Sequence, residues 1–239
     1  MKNCGGGICW IGVKGTLSDS TLSNNKANNI GAGVYWQGAN GTVKGSTFRE
    51  NNIAGNGGGI SWSGANGTVT DSTFISNSAT GVGGGMDWFG ANGTVTDSTF
   101  TDNTAKISGG GVHWGGPGVN GILSASNFTS NNAPDGGGIM WEGSNGILID
   151  SIFTDNKADK NGGAIFWSVA SSMMNCTFVN SKSYQSNGIY ASQNLNINNG
   201  KGIVYTFING ALSGISIVVL NNETYYYPPN SNINLPNKE

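Results

Sequence analysis

Residues 57–77 read GGGISWSGANGTVTDSTFISN: a Gly triplet, a single Trp, an Asn-Gly pair, and a Phe three residues before an Asn. At 83–103 the chain repeats itself almost word for word, as GGGMDWFGANGTVTDSTFTDN. The repeat extends in both directions. All seven Trp fall in one register, at Trp10, Trp36, Trp62, Trp88, Trp114, Trp141 and Trp167, with steps of 26 residues and one of 27. Self-similarity at a fixed period of this length marks a solenoid, because one unit cannot bury its apolar face alone.

Gly triplets and Asn-Gly pairs in every repeat would break any helix of useful length, and the runs between them alternate as strands do. One inward column is Ile8, Val34, Ile60, Met86, Val112, Ile139 and Ile165, with Trp two residues on. A second is Leu17, Val43, Val69, Val95, Leu123 and Leu148, and a third is Leu22 followed by Phe48, Phe74, Phe100, Phe128, Phe153 and Phe178. Between these lies a column of small residues, Ser20, Ser46, Ser72, Ser98, Ser126, Ser151 and Cys176. The residue before each (Asp19, Gly45, Asp71, Asp97, Ala125, Asp150, Asn175) is mostly of a kind that tolerates a left-handed backbone, so this column reads as a bend, with Ala125 the exception. An Asn column, Asn25, Asn51, Asn77, Asn103, Asn131 and Asn156, can hydrogen-bond along the stack and ends at Ser181. The pattern predicts a right-handed parallel β-helix of about seven coils, each with three short strands on three faces.

Composition agrees. The 41 Gly would suggest low complexity, but seven Trp and nine Phe in periodic positions supply a core. A net charge of −2 and few basic residues argue against nucleic acid, and no run approaches the ~20 apolar residues of a membrane helix. MKNCGGGICW lacks the apolar region of a signal peptide and starts inside a repeat, so the chain reads as an excised or truncated segment whose signal and anchor lie elsewhere. Cys4, Cys9 and Cys176 form no metal-binding spacing; they read as free thiols, with a Cys4–Cys9 disulfide as the alternative.

The GGG-I and F-x-x-N elements recurring together over residues 4–182 resemble the repeats of the bacterial polymorphic outer-membrane proteins, and resemble still more the adhesin-like surface proteins of methanogenic archaea. That resemblance implies an extracellular β-helix used in adhesion and carries over no catalytic residue. Residues 1–182 are assigned to the repeats, 183–202 to one or more degenerate coils, and 203–239 to a β-hairpin cap or the start of a following domain.

Alternation places the residues flanking each Trp on the outer face, where they vary while the framework repeats. Tyr35, Asp87, Phe89, His113, Glu142 and Phe166 form the candidate binding site, with aromatic rings beside hydrogen-bonding groups suited to a glycan or a cell-surface partner. Drift at tolerant surface positions explains the same variation. Asp87, His113 and Glu142 could alternatively serve acid–base chemistry in a polysaccharide lyase or hydrolase, or simply bond across coils. The Trp column reads as core rather than as an exposed sugar-stacking ladder. Asn40, Asn66 and Asn92 each open an Asn-Gly-Thr sequon in one turn column and are glycosylation candidates. The favoured reading is a non-enzymatic adhesin-like segment that uses no metal or cofactor.

Overall fold

The computed structural model describes residues 5–116, 120–184 and 188–191, together with the strands Leu195–Asn198, Thr206–Ile208, Ser216–Leu220 and Glu223–Tyr227. Its described residues contain strands and turns and no helix. The chain is an all-β, right-handed parallel β-helix of about seven coils.

Each coil contributes to four parallel sheets, not the three expected. The first runs from Ile8–Trp10 through Val34–Trp36, Ile60–Trp62, Met86–Trp88, Val112–Trp114 and Ile139–Trp141 to Ile165–Trp167, and continues into Ile189–Ala191 and Thr206–Ile208. We call it the Trp sheet. The Val sheet begins at Thr16–Ser18 and the Phe sheet at Thr21–Ser23. The fourth, the Asn sheet, is built from pieces as short as Lys26–Ala27, Asn52–Ile53, Ser78–Ala79 and Thr104–Ala105. Two-residue strands carry too little alternation to be read as strands, which is why this face was missed. Equivalent residues pair in register in the Trp and Phe sheets, so Trp62 lies on Trp88 and Phe74 on Phe100. In the Asn sheet the register shifts between Ala133 and Asp135, where Ala133 pairs with Ala158 but Asp135 with Asn161. Beyond the coils, Ser216–Leu220 and Glu223–Tyr227 pair antiparallel.

Stacking equivalent residues creates the core. Trp36 through Trp167 and Phe48 through Phe153 have no solvent exposure, and successive rings stack with centroids 4.6–5.2 Å apart. The Asn column sits inside a corner as a ladder that is fully buried from Asn51 to Asn156 and partly buried at Asn25. Asn77, for example, donates from Nδ2 to Asn103 Oδ1 at 3.0 Å and to the Phe48 carbonyl at 2.9 Å. Its Oδ1 accepts from the backbone N–H and the Nδ2 of Asn51. A second ladder links each Ser hydroxyl to the backbone N–H one coil before, as from Ser72 N to Ser98 Oγ at 3.2 Å. Cys176 ends that series; burial pushes its thiol up to about 12, so it stays a protonated filler. Cys9 is not a free thiol as expected but disulfide-bonded.

The bend column has left-handed φ throughout, 46–57°, with Ala125 included at 46°. A second left-handed column, not anticipated, lies two residues after the aromatic: Asn24, Glu50, Ser76, Asp102, Ser130, Asp155 and Asn180, at φ 50–57°. Glu50 and Ser76 carried no turn signature strong enough to reveal it.

Candidate functional site

The Trp sheet positions the candidate residues. Its parallel register sets Asp87 against His113, His113 against Met140, and Met140 against Phe166. The expectation that this column faces solvent is overturned at its centre. Asp87 is 3% and His113 4% exposed, and Ser61 and Met140 are also buried. These side chains cover one another: His113 Nδ1 lies against Asp87 Oδ1, its Nε2 faces Glu142, and the Phe89 ring flanks it. The turn entering each strand packs closely as well, since a Cβ at Gly83 (φ 66°) or Gly109 (φ 65°) would lie 2.8 Å from the Cα of Asp87 or His113. Tyr35 and Phe166 remain half-buried, while Phe89 and Glu142, one residue past the Trp column, are exposed.

Three coils converge on His113. Its Nδ1 lies 2.8 Å from Asp87 Oδ1, and its Nε2 lies 3.4 Å from Glu142 Oε2. Gly115 stands between Phe89 and Glu142 in their column, and its missing side chain makes room for the ring: a Cβ there would come within 2.5 Å of His113 Cε1. The Phe89 ring flanks the imidazole, with centroids 6.2 Å apart. Burial pulls the His113 pKa down, but hydrogen bonds and attraction from Asp87 and Glu142 outweigh it and raise it to about 9. The contact with His113 in turn holds the Glu142 carboxyl below its ordinary value, against the effect of its partial burial. At neutral pH His113 is an imidazolium held between two carboxylates.

The six candidate residues thus divide. Asp87, His113, Glu142 and Phe89 come together; Tyr35 lies on the N-terminal side of them, with the Ser63 hydroxyl 3.5 Å from its own, and Phe166 on the C-terminal side, packed on Tyr190 with centroids 4.6 Å apart. Among the described residues no group of three His, Cys, Asp or Glu side chains is placed to hold a metal, and no helix is long and apolar enough to cross a membrane.

A family of known proteins matches the sequence itself. The model described as "Right handed beta helix region" matches residues 1–113 and 32–223. The chain belongs to that family. No curated protein and no solved structure shows significant similarity to this right-handed β-helix.

The sequons of the β-helix sit as a turn column. Asn40, Asn66 and Asn92 are exposed with φ of 53–55°, and they form a surface ladder in which Asn66 donates to Asn40 and Asn92 to Asn66 at 3.3 and 3.0 Å. Asn120 and Asn145 extend it. Sequence reading missed one group of residues in the β-helix altogether: Lys157, Asp159, Lys182 and Tyr184, which surround a surface depression at the C-terminal end of the Asn sheet. No single repeat shows it, because it arises only when Lys157 and Lys182 stack.

Proposed function

We propose that this β-helix is a non-enzymatic, adhesin-like segment displayed outside the cell or at its surface, where it binds a glycan or a partner surface. The observation that carries the reading is the state of His113. This sole histidine is enclosed by Asp87 and Glu142 and shielded from solvent, so it is a strut rather than a group free to trade protons with a substrate. What the strut presents outward is the exposed Phe89 ring and the half-exposed Glu142 carboxylate on a stiff scaffold. A ring that can stack on a sugar beside a fixed acceptor for its hydroxyls suits recognition. The adhesin role rests on the resemblance of the repeats as well.

A glycan array with the purified segment tests this. Binding to at least one glycan is expected, lost in Phe89→Ser/Glu142→Gln and accompanied by no cleavage. Turnover of a polysaccharide that disappears in Asp87→Asn would support the lyase or hydrolase reading instead.

Of the sequons, Asn40 is the acceptor we propose. It enters the surface ladder only as an acceptor, whereas Asn66 and Asn92 commit their Nδ2 groups to it. Coils ~4.8 Å apart leave no room for bulky sugars on neighbouring turns.

A further inference from the structure

We propose a second binding site, specific for the anionic group of an acidic sugar, in the depression at the C-terminal end of the Asn sheet. It rests on the reading of the rod as a glycan-binding segment and adds a separate site of defined charge. The depression is open to solvent, has a volume of about 270 Å³ and is lined by Lys157, Ala158, Asp159, Lys182, Ser183 and Tyr184.

Its charge is built by register. Lys157 and Lys182 are bridge partners on adjacent coils. The Lys182 N–H donates to the Asn156 carbonyl at 2.8 Å, and the Ala158 N–H donates to the Lys182 carbonyl at 2.8 Å. Their Cα atoms are therefore stacked about 4.8 Å apart, and both side chains are exposed. Like charges directly opposite one another in a sheet are unfavourable. Earlier in the same column Lys26 stands against uncharged Asn52, followed by Ser78, Thr104 and Asn132, so among the described residues two lysines face each other on adjacent coils of this column only at Lys157 and Lys182. Lys160 stands exposed three residues from Lys157. With only 11 Lys and Arg in 239 residues, three in one corner are a concentration. Asp159, 3.6 Å from Lys157, offsets little, since both side chains are largely exposed. Tyr184 forms a wall and is 87% exposed.

Two ammonium groups one coil apart can share the oxygens of a carboxylate or a sulfate, and the Tyr184 ring offers a face for the sugar bearing it. The shared ligand chemistry is one anionic group on a pyranose, whether uronate or sulfate ester. Nucleic acid fits less well: its phosphates demand an extended basic footprint, and this chain carries a net charge of −2.

The test is calorimetric titration at low salt with a uronate oligosaccharide, a sulfated oligosaccharide, their neutral counterpart and a single-stranded DNA oligomer. One of the two acidic sugars should bind the wild type, and which one does identifies the anionic group. The neutral sugar should not bind at this site, and the affinity should fall as salt rises. Lys157→Ala/Lys182→Ala should weaken binding by about tenfold or more, and Tyr184→Ala should weaken it less. Because these side chains are exposed, the melting curves should stay near wild type. Phe89→Ser/Glu142→Gln should leave acidic-sugar binding unchanged. Acidic-sugar binding that survives the double lysine change but is lost in the Phe89/Glu142 variant would overturn this site and leave the first reading standing. Absence of acidic-sugar binding by the wild type would overturn it, as would tighter binding of the DNA.

Discussion

At the scale of single residues, the rod is held by side chains that repeat their bonds at every coil. Asn103 is fully buried and its side chain makes four of them, Oδ1 accepting from Asn77 N and Nδ2 and Nδ2 donating to Asn131 Oδ1 and the Phe74 carbonyl. Asn103→Ala leaves several buried polar groups without partners, at ~1–3 kcal/mol each. A loss of at least about 3 kcal/mol is expected in denaturant melts. The ladder ends at Ser181, whose buried Oγ has no partner, so Ser181→Asn should extend it and raise stability by about 1 kcal/mol. Ala125 holds a left-handed φ of 46° that its Cβ disfavours. Ala125→Gly should relieve strain of about 1 kcal/mol, read as a higher melting temperature. His113 makes stability depend on pH. Its raised pKa means that its contribution is complete below about 6.5 and is lost as pH rises through about 9. Glu142, lowered by its partner, contributes above its ordinary value and loses this as acid protonates it. The melting temperature should therefore fall between pH 6.5 and 9.5, by an amount equivalent to roughly 3 kcal/mol. Asp87→Asn should flatten that slope.

At the scale of strands and corners, period and chemistry decided how much could be read ahead. The Trp, Val and Phe faces were legible because each carries a large apolar residue at a fixed step, and all three are core. Phe100→Ala should cost about 3–5 kcal/mol, measured by the same melts. The Asn face was not legible, since Ser78–Ala79 and Thr104–Ala105 are too short to alternate and their inward residue is only Ala. The exposed side of the Trp sheet was misjudged for a related reason. Alternation says which way Asp87 and His113 leave the strand, but not that they will pair with each other and be flanked by Phe89 and Glu142. Of the candidate site, the grouping of Asp87, His113, Phe89 and Glu142 was visible from coil register, and the burial of Asp87 and His113 was not. The Asn-Gly pair hid a second duty: a Cβ at Gly93 would come within 2.4 Å of Trp88 Cε2. Gly there is required by the indole as well as by the turn.

At the scale of the molecule, each coil contacts chiefly its neighbours, so stability is nearly a sum of coils and their interfaces. Departures from the period leave the ladder intact, and one of them is taken up by the register shift between Ala133 and Asp135 in the Asn sheet. Asn103 and Asn131 are 28 residues apart and Asn131 and Asn156 only 25, yet both pairs hydrogen-bond at 3.0 Å. The central claim is that 26 residues make one interchangeable coil whose equivalents stack in register. Excising residues 57–82 joins Asn56 to Gly83 in the sequence context that Gly57 now occupies, and leaves the Asp87–His113–Glu142 cluster whole. A crystal structure of that shortened chain tests the claim most directly. It should show the same four-sided rod, shorter by about 4.8 Å, with Trp36 stacked on Trp88 and Asn51 bonded to Asn103. A chain that fails to fold, or that re-forms with Trp36 and Trp88 out of register, would contradict it.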